Sequence, residues 1–245
     1  MQTNPPGRPS QTHRSRDIAI ELGHATLAGS LTIPGAARGL VIFAHGSGSG
    51  RHSPRNRAVA AQLNSAGLAT LLLDLLTTAE EARDSVTAEL RFDIPLLTER
   101  VLSAVSWAAG QPEISALPNG LFGASTGGAA ALAAAAVSPA VRAVVLRGGR
   151  PDLAGPALAR VEVPTLMIVG GEDPLVLELN RQACARMRAE CQIHIIPGAT
   201  HLFEEPGALA EVGRLASEWF GRYLSGTIGD GLFEDSTGRP NAPGS

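Results

Sequence analysis

"GLFGASTGGAAALAAAA", residues 120–136, decides how the chain is read. Ser125 stands between Gly123 and Gly127 in a G-x-S-x-G frame, with an apolar run before it and an alanine-rich run after it. LFGA reads as a strand end and TGGAAALAAAA as a helix. A sharp turn between them would expose the serine hydroxyl, and glycines on either side leave room for strained backbone. Gly128 and the alanines would let the helix pack close to a sheet. The helix start places partial positive charge beside the serine. A plain tight turn into a buried helix could carry the same letters, so the rest of the chain has to supply a base, an acid and an oxyanion site.

Outward from this motif, strand and helix alternate. DIAIEL (17–22) and TLAGSLTI (26–33) show period-two alternation and predict a half-exposed antiparallel pair. GLVIFAH, ATLLLDLL, NGLFGA, VRAVVLR, PTLMIVGG and QIHIIPG are continuous apolar runs, as suits strands buried on both faces. Helical segments separate them. SPRNRAVAAQLNSAGL (53–68) opens with a Ser–Pro cap and ends near Gly67. The expected fold class is α/β, with a mostly parallel eight-stranded sheet covered by helices on both faces. Ligands in such sheets bind at the carboxyl ends of the strands, so functional residues should directly follow the apolar runs.

The 245 residues are enough for one such domain, expected over 16–225. Residues 1–15 and 226–245 read as flexible tails, although Ile228, Leu232 and Phe233 could dock weakly. The net charge of −3 argues against a nucleic-acid partner. No apolar run reaches the roughly 18 residues of a membrane helix, and the start has no secretory hydrophobic segment. Cys184 and Cys191 form no CxxC and have no histidine at ligand spacing, so they read as reduced and structural. Together these features predict a cytoplasmic protein with no membrane or nucleic-acid partner.

Two residues complete a candidate triad. Asp173 follows an apolar run in LMIVGGEDPLV (166–176), and His201 follows the last one in IIPGATHLFEEPG (195–207). The chain order Ser125, Asp173, His201 is that of nucleophile, acid and histidine on an α/β-hydrolase sheet. A serine hydroxyl is a weak nucleophile and needs a neighbouring base. Histidine can take and return the proton, and a carboxylate on its other nitrogen fixes the tautomer. Glu172 and Asp152 are rival acids. His45 and His52 precede the serine in the chain, His194 lies inside a strand, and His13 and His24 are far from any candidate site.

The loop FAHGSGSGRHSPRN (43–56) follows the first buried strand. With a histidine–glycine pair there, it resembles the loop that gives α/β-hydrolases one oxyanion-hole amide. The donor is placed at Ser47, with Gly48 as second choice, and the partner amide at Thr126. A phosphate-cradling loop would need G-K-[ST], or a GxGxxG opening a helix, and neither is present. HGSGSGRHSPRN, GASTGG, GGEDPLV and GATHLFEEPG together resemble the α/β-hydrolase superfamily in its dienelactone-hydrolase-like branch, over about residues 17–225. Dienelactone hydrolases proper use a cysteine nucleophile, whereas this chain has Ser125, so the lactone substrate is not carried over. Relatives with the RHSPRN and RGGRPDL wording resemble domains that adjoin phosphoribosyltransferases, and no such domain is read in these 245 residues.

The resemblance implies a serine esterase acting on a carboxylic ester, thioester or lactone through an acyl-enzyme, with no metal or organic cofactor. The alternatives are an acyltransferase on the same triad and a non-catalytic binding protein on a hydrolase scaffold. Arg55, Arg147 and Arg150 at the strand edge are candidates to bind an anionic acyl substrate, against the plainer reading of surface arginines paired with Asp152 or helix ends. The gap between Leu146 and Pro164 is too short for a large cap, which leaves TTAEEARDSVTAELRF (77–92) as a partial cover. Leu202 and Phe203 are candidates to line the pocket, with Phe122 read as core.

Overall fold

The described residues form one eight-stranded sheet, as expected from two alternating segments and six continuous apolar runs. In the computed structural model, residues 13–23 and 25–225 are described. Nearly all of the expected N-terminal tail, His24 and the whole C-terminal tail lie outside that range. β1 (His13–Glu21) begins inside the stretch expected to be tail and pairs antiparallel with β2 (Thr26–Pro34), in register from His13 opposite Pro34 to Glu21 opposite Thr26. β2 pairs antiparallel with β4 (Ala69–Leu73). The rest of the sheet is parallel: β3 (Leu40–Ala44) between β4 and β5 (Asn119–Ala124), then β6 (Val141–Arg147), β7 (Thr165–Gly170) and β8 (Cys191–Ile196).

The described residues form six α-helices. α1 (Pro54–Ser65) is capped by the Ser53 hydroxyl and has proline in its first turn, as its sequence predicts. It shares one face with α6 (Ala208–Tyr223), around Leu63, Val212 and Phe220. α3 (Ile94–Ala109) and α4 (Thr126–Ala135) fill the other face with α5 (Pro174–Arg186) and a 3-10 segment over Pro151–Arg160. α4 is apolar all round and almost wholly buried, consistent with its place over the centre of the sheet. α2 (Thr78–Thr87) lies in the segment expected as partial cover. Thr77 and Glu80 form its capping box: Glu80 N–H donates to Thr77 Oγ1 at 3.2 Å, and Thr77 N–H donates to Glu80 Oε2 at 2.7 Å. The short gap after β6 holds the 3-10 segment and no separate cap domain.

Two expectations need correction. Cys184 and Cys191 are not free thiols but a disulfide, with Cα atoms 5.7 Å apart. The end of α5 folds back onto the start of β8 and brings them within bonding range, a proximity that their spacing of seven did not reveal. The cytoplasmic expectation leaned on reduced cysteines and loses that support. Phe203, offered as a pocket residue, is instead sealed in the core, while Leu202 is exposed. Among the described residues no helix is long and apolar enough to cross a membrane.

Phe122 is core, as expected: it faces Phe43 across the β5–β3 pairing, with ring centroids 4.8 Å apart and only 1% exposure. Phe122→Ala is expected to cost about 3–5 kcal/mol through lost burial and the cavity left behind. Urea unfolding measures this; a loss below about 1 kcal/mol would refute the packing role.

Candidate active site

Ser125 links β5 to α4 with φ 49° and ψ −123°, a conformation non-glycine residues rarely hold. Its neighbours make this possible. A Cβ on Gly123 would sit 2.5 Å from Gly128 Cα, and a Cβ on Gly127 would fall onto the carbonyl oxygens of Ala44 and His45. The elbow is therefore pressed against the end of β3. Its amide donates to Arg147 O at 3.3 Å, and its carbonyl accepts from Arg150 N–H at 3.0 Å. These bonds fasten the serine to the end of β6.

Asp173 follows β7 and His201 follows β8, on the far side of β6 from the serine. His201 Nδ1–H donates to Asp173 Oδ2 at 2.6 Å, leaving Nε2 as the free ring nitrogen. The two loops are joined by Gly171 N–H to Ile196 O at 2.9 Å and Glu172 N–H to Ala199 O at 3.0 Å. A Cβ on Gly170 would overlap Ala199 O, so glycine there allows the approach. Thr200 and Glu205 brace the histidine turn through a 2.6 Å hydroxyl–carboxylate bond. The ring also packs beside Gly148, where an added Cβ would lie 3.4 Å from its Cε1 and Nδ1. Among the described residues Ser125 Oγ has no hydrogen-bond partner; catalytic contacts often tighten only when substrate binds. The rival acids are placed elsewhere. Asp152 is engaged by Arg150, and Glu172 is exposed.

The Ser47 loop reaches the elbow. Ser47 Oγ and Thr126 Oγ1 are 3.2 Å apart. Thr126 is the first residue of α4, so its amide has no intrahelical acceptor. Two residues that sequence reasoning did not assign hold this loop. Leu75 N–H donates to His45 Nε2 at 2.9 Å, which puts the ring proton on Nδ1, where it donates to Gly46 O at 2.8 Å. Asp74 accepts from the Arg51 amide at 2.6 Å and also pairs with its guanidinium. Both residues follow apolar runs, so the strand-end rule could have found them. Beyond the loop is a cavity of about 90 Å³, with Leu75, Leu76 and Leu97 among its lining and Glu81, Asp84 and Ser85 facing it from α2.

A serine on a strained elbow after β5, a carboxylate after β7 holding a histidine after β8, and the Ser47 loop after β3 share one edge of this sheet. The family model described as "Alpha/beta hydrolase domain" matches residues 37–211. The chain belongs to the α/β-hydrolase family. Within it, the chain falls in the dienelactone-hydrolase-like branch. This hydrolase is 54% identical to a crystal structure of dienelactone hydrolase from Anabaena variabilis, with a TM-score of 0.85 over 86% of this chain and 99% of that one. Est1E from Butyrivibrio proteoclasticus has a TM-score of 0.70 at 18% identity, over 84% of this chain and 98% of that one, and shares the fold. A Mycobacterium tuberculosis H37Rv protein, provisionally named a phosphoribosyl transferase, is 54% identical over 214 residues, 87% of this hydrolase and 47% of that protein. The hydrolase thus spans about half the length of that relative.

Burial pushes the His45 pKa below its ordinary 6.5, more than its bond to Gly46 and the nearby Asp74 and Glu81 raise it. The unfolded chain therefore binds more protons as pH falls through that value, and stability falls with it. Melting temperatures of wild type should drop more steeply than those of His45→Gln between about pH 7.5 and 5.5, with the variant lower but flatter. Parallel curves would show that His45 is not held neutral in the fold.

Proposed function

We propose that the protein is a serine hydrolase that cleaves a carboxylic ester, thioester or lactone through an acyl-enzyme. The observation that carries this reading is the Asp173–His201 hydrogen bond on the strand ends beside the Ser125 elbow. Ser125 Oγ attacks the carbonyl carbon while His201 Nε2 takes its proton. The Asp173 carboxylate holds Nδ1–H and stabilises the imidazolium. The Ser47 and Thr126 amides receive the charge that develops on the carbonyl oxygen. The tetrahedral intermediate expels the alcohol or thiol, which takes the proton from Nε2. Water then attacks the acyl-enzyme by the same proton route and releases the acid and Ser125. The phosphoribosyl-transferase name of the longer relative is not what this constellation supports: a serine, a histidine base and paired amides perform acyl transfer.

The α2-side cavity suits a short acyl group. Its volume is only about 90 Å³, and leucines line it. Nitrophenyl esters should therefore turn over fastest with acyl chains of up to about four carbons, and a rate that rises with longer chains would reject this pocket as the acyl site.

A fluorophosphonate probe tests the nucleophile. Stoichiometric adduct should map to Ser125 and vanish in Ser125→Ala. Asp173→Asn should lower kcat by on the order of 10⁴ by leaving the wrong histidine tautomer. Folded protein that takes no label and turns over no ester would defeat the reading.

A further inference from the structure

Three arginines stand at the carboxyl edge of the sheet in different surroundings. Arg150 is fully engaged, because its Nε and Nη2 donate to the two oxygens of Asp152 at 2.9 and 2.8 Å. Arg55 donates to Glu204 at 3.2 Å, but that carboxylate's side chain is 65% exposed, and such contacts contribute about 0–1 kcal/mol. Its Nε is buried without a partner. Arg147 is only 8% exposed and, among the described residues, its side chain has neither an ion pair nor a hydrogen bond. Its Nη1 is sealed from solvent with no partner, whereas its other guanidinium nitrogens are not sealed. Burial first, and then the charge of Arg55, push its pKa down to about 10. A buried, unpaired guanidinium is costly, and the described residues supply no anion to offset it.

Its position is informative. Arg147 ends β6, its carbonyl accepts from the Ser125 amide, and the next residue, Gly148, touches the His201 ring. Alternation along β6 puts Arg147 on the face of Ala143 and Val145, which pack with α1 and α6. Arg55 is in the first turn of α1, and Glu204 lies three residues past His201. The α2 cavity lies beyond β3 on the β4 side, whereas Arg147 ends β6, on the other side of the nucleophile's strand.

Building on the serine-hydrolase reading, we propose that Arg147 and Arg55 form an anion site for a doubly charged phosphate monoester group carried by the substrate. Arg147 pairs with no carboxylate among the described residues and Arg55 only with the loosely held Glu204, which leaves positive charge uncompensated. Phosphate has enough oxygens to accept from both forks, and Glu204 can swing into solvent as it enters. The uncharged ester carbonyl then lies between this site and the oxyanion amides.

The test uses inorganic phosphate and the full chain carrying Ser125→Ala, so its outcome does not depend on the nucleophile. Calorimetric titration at constant ionic strength, with chloride as the matched salt, should show saturable binding. Loss of a charged hydrogen-bonding partner should weaken it about 10- to 100-fold in Arg147→Met and in Arg55→Met. Arg150→Met should bind as the parent does. Arg55 is partly exposed, so its variant carries the test even if Arg147→Met fails to fold. No saturable binding, or equal binding in a folded Arg147→Met or Arg55→Met, would remove the site. With active enzyme, kcat/KM for an ester bearing a phosphate arm should exceed that of an uncharged match, and of one bearing a single carboxylate, by about tenfold or more. Arg55→Met should erase that ratio. A carboxylate arm that serves equally well would overturn the dianion assignment, and no preference for phosphate would overturn the substrate role. Fluorophosphonate labelling of Ser125 separates failure of this site from failure of the hydrolase reading.

Discussion

The arrangement of this edge depends on one close approach: the backbone of Gly127 lies against the carbonyls of Ala44 and His45. It joins the first turn of α4 to the end of β3 with no side chain between them. The Ser125 elbow and the Ser47 loop are then placed by the same contact, because one precedes Gly127 by two residues and the other follows His45 by two. The positive φ of Ser125 is the strain that this approach imposes. Bonds from Ser125 to Arg147 and Arg150 hold the strain on the far side. A geometry held by backbone on both sides can be reproducible without a lid to close it.

Buried polar groups near this edge fall into two kinds. Asp84 accepts from the Arg91 amide and guanidinium, and His45 is bonded at both nitrogens. Arg100 reaches Glu80 of the α2 capping box at 2.9 Å and so ties the partial cover to α3. These groups organise loops and need nothing further to explain them, although Arg100 keeps two donors without partners. Arg147 differs because its side chain touches no carboxylate, while its own carbonyl accepts from the Ser125 amide and the next residue packs against His201. A purely structural arginine would be expected to face an acid or a row of carbonyls.

Much of the fold was legible because parallel strands buried on both faces produce apolar runs, and each run here became a strand. The Ser125, Asp173 and His201 positions were legible from the same signal, since each follows such a run. Other features were hidden for physical reasons. The Cys184–Cys191 bond depends on how the end of α5 meets β8, which spacing does not encode. The three arginines look equivalent as letters, and only burial and partners separate Arg150 from Arg147. The role of His45 was obscured by a narrower question, whether it was a base, when its position after β3 already marked it as a loop anchor. Thr77 and Glu80 carried a readable capping signal for α2.

The two sides of Ser125 differ in charge, and this bears on how an open site could choose a substrate orientation. On the α2 side, Asp74 and Asp84 are neutralised by Arg51 and Arg91, while Glu81 faces the cavity without an ion pair among the described residues. On the α1 side the balance is reversed, with two guanidiniums and one exposed carboxylate. An anionic arm would be attracted to Arg147 and repelled from Glu81, so one field would favour a single orientation and disfavour its reverse. The short apolar acyl group would then enter the leucine-lined cavity by exclusion as much as by fit. On the proposed reading, with no cap domain to enclose the substrate, this difference in charge across Ser125 would be the means of selection.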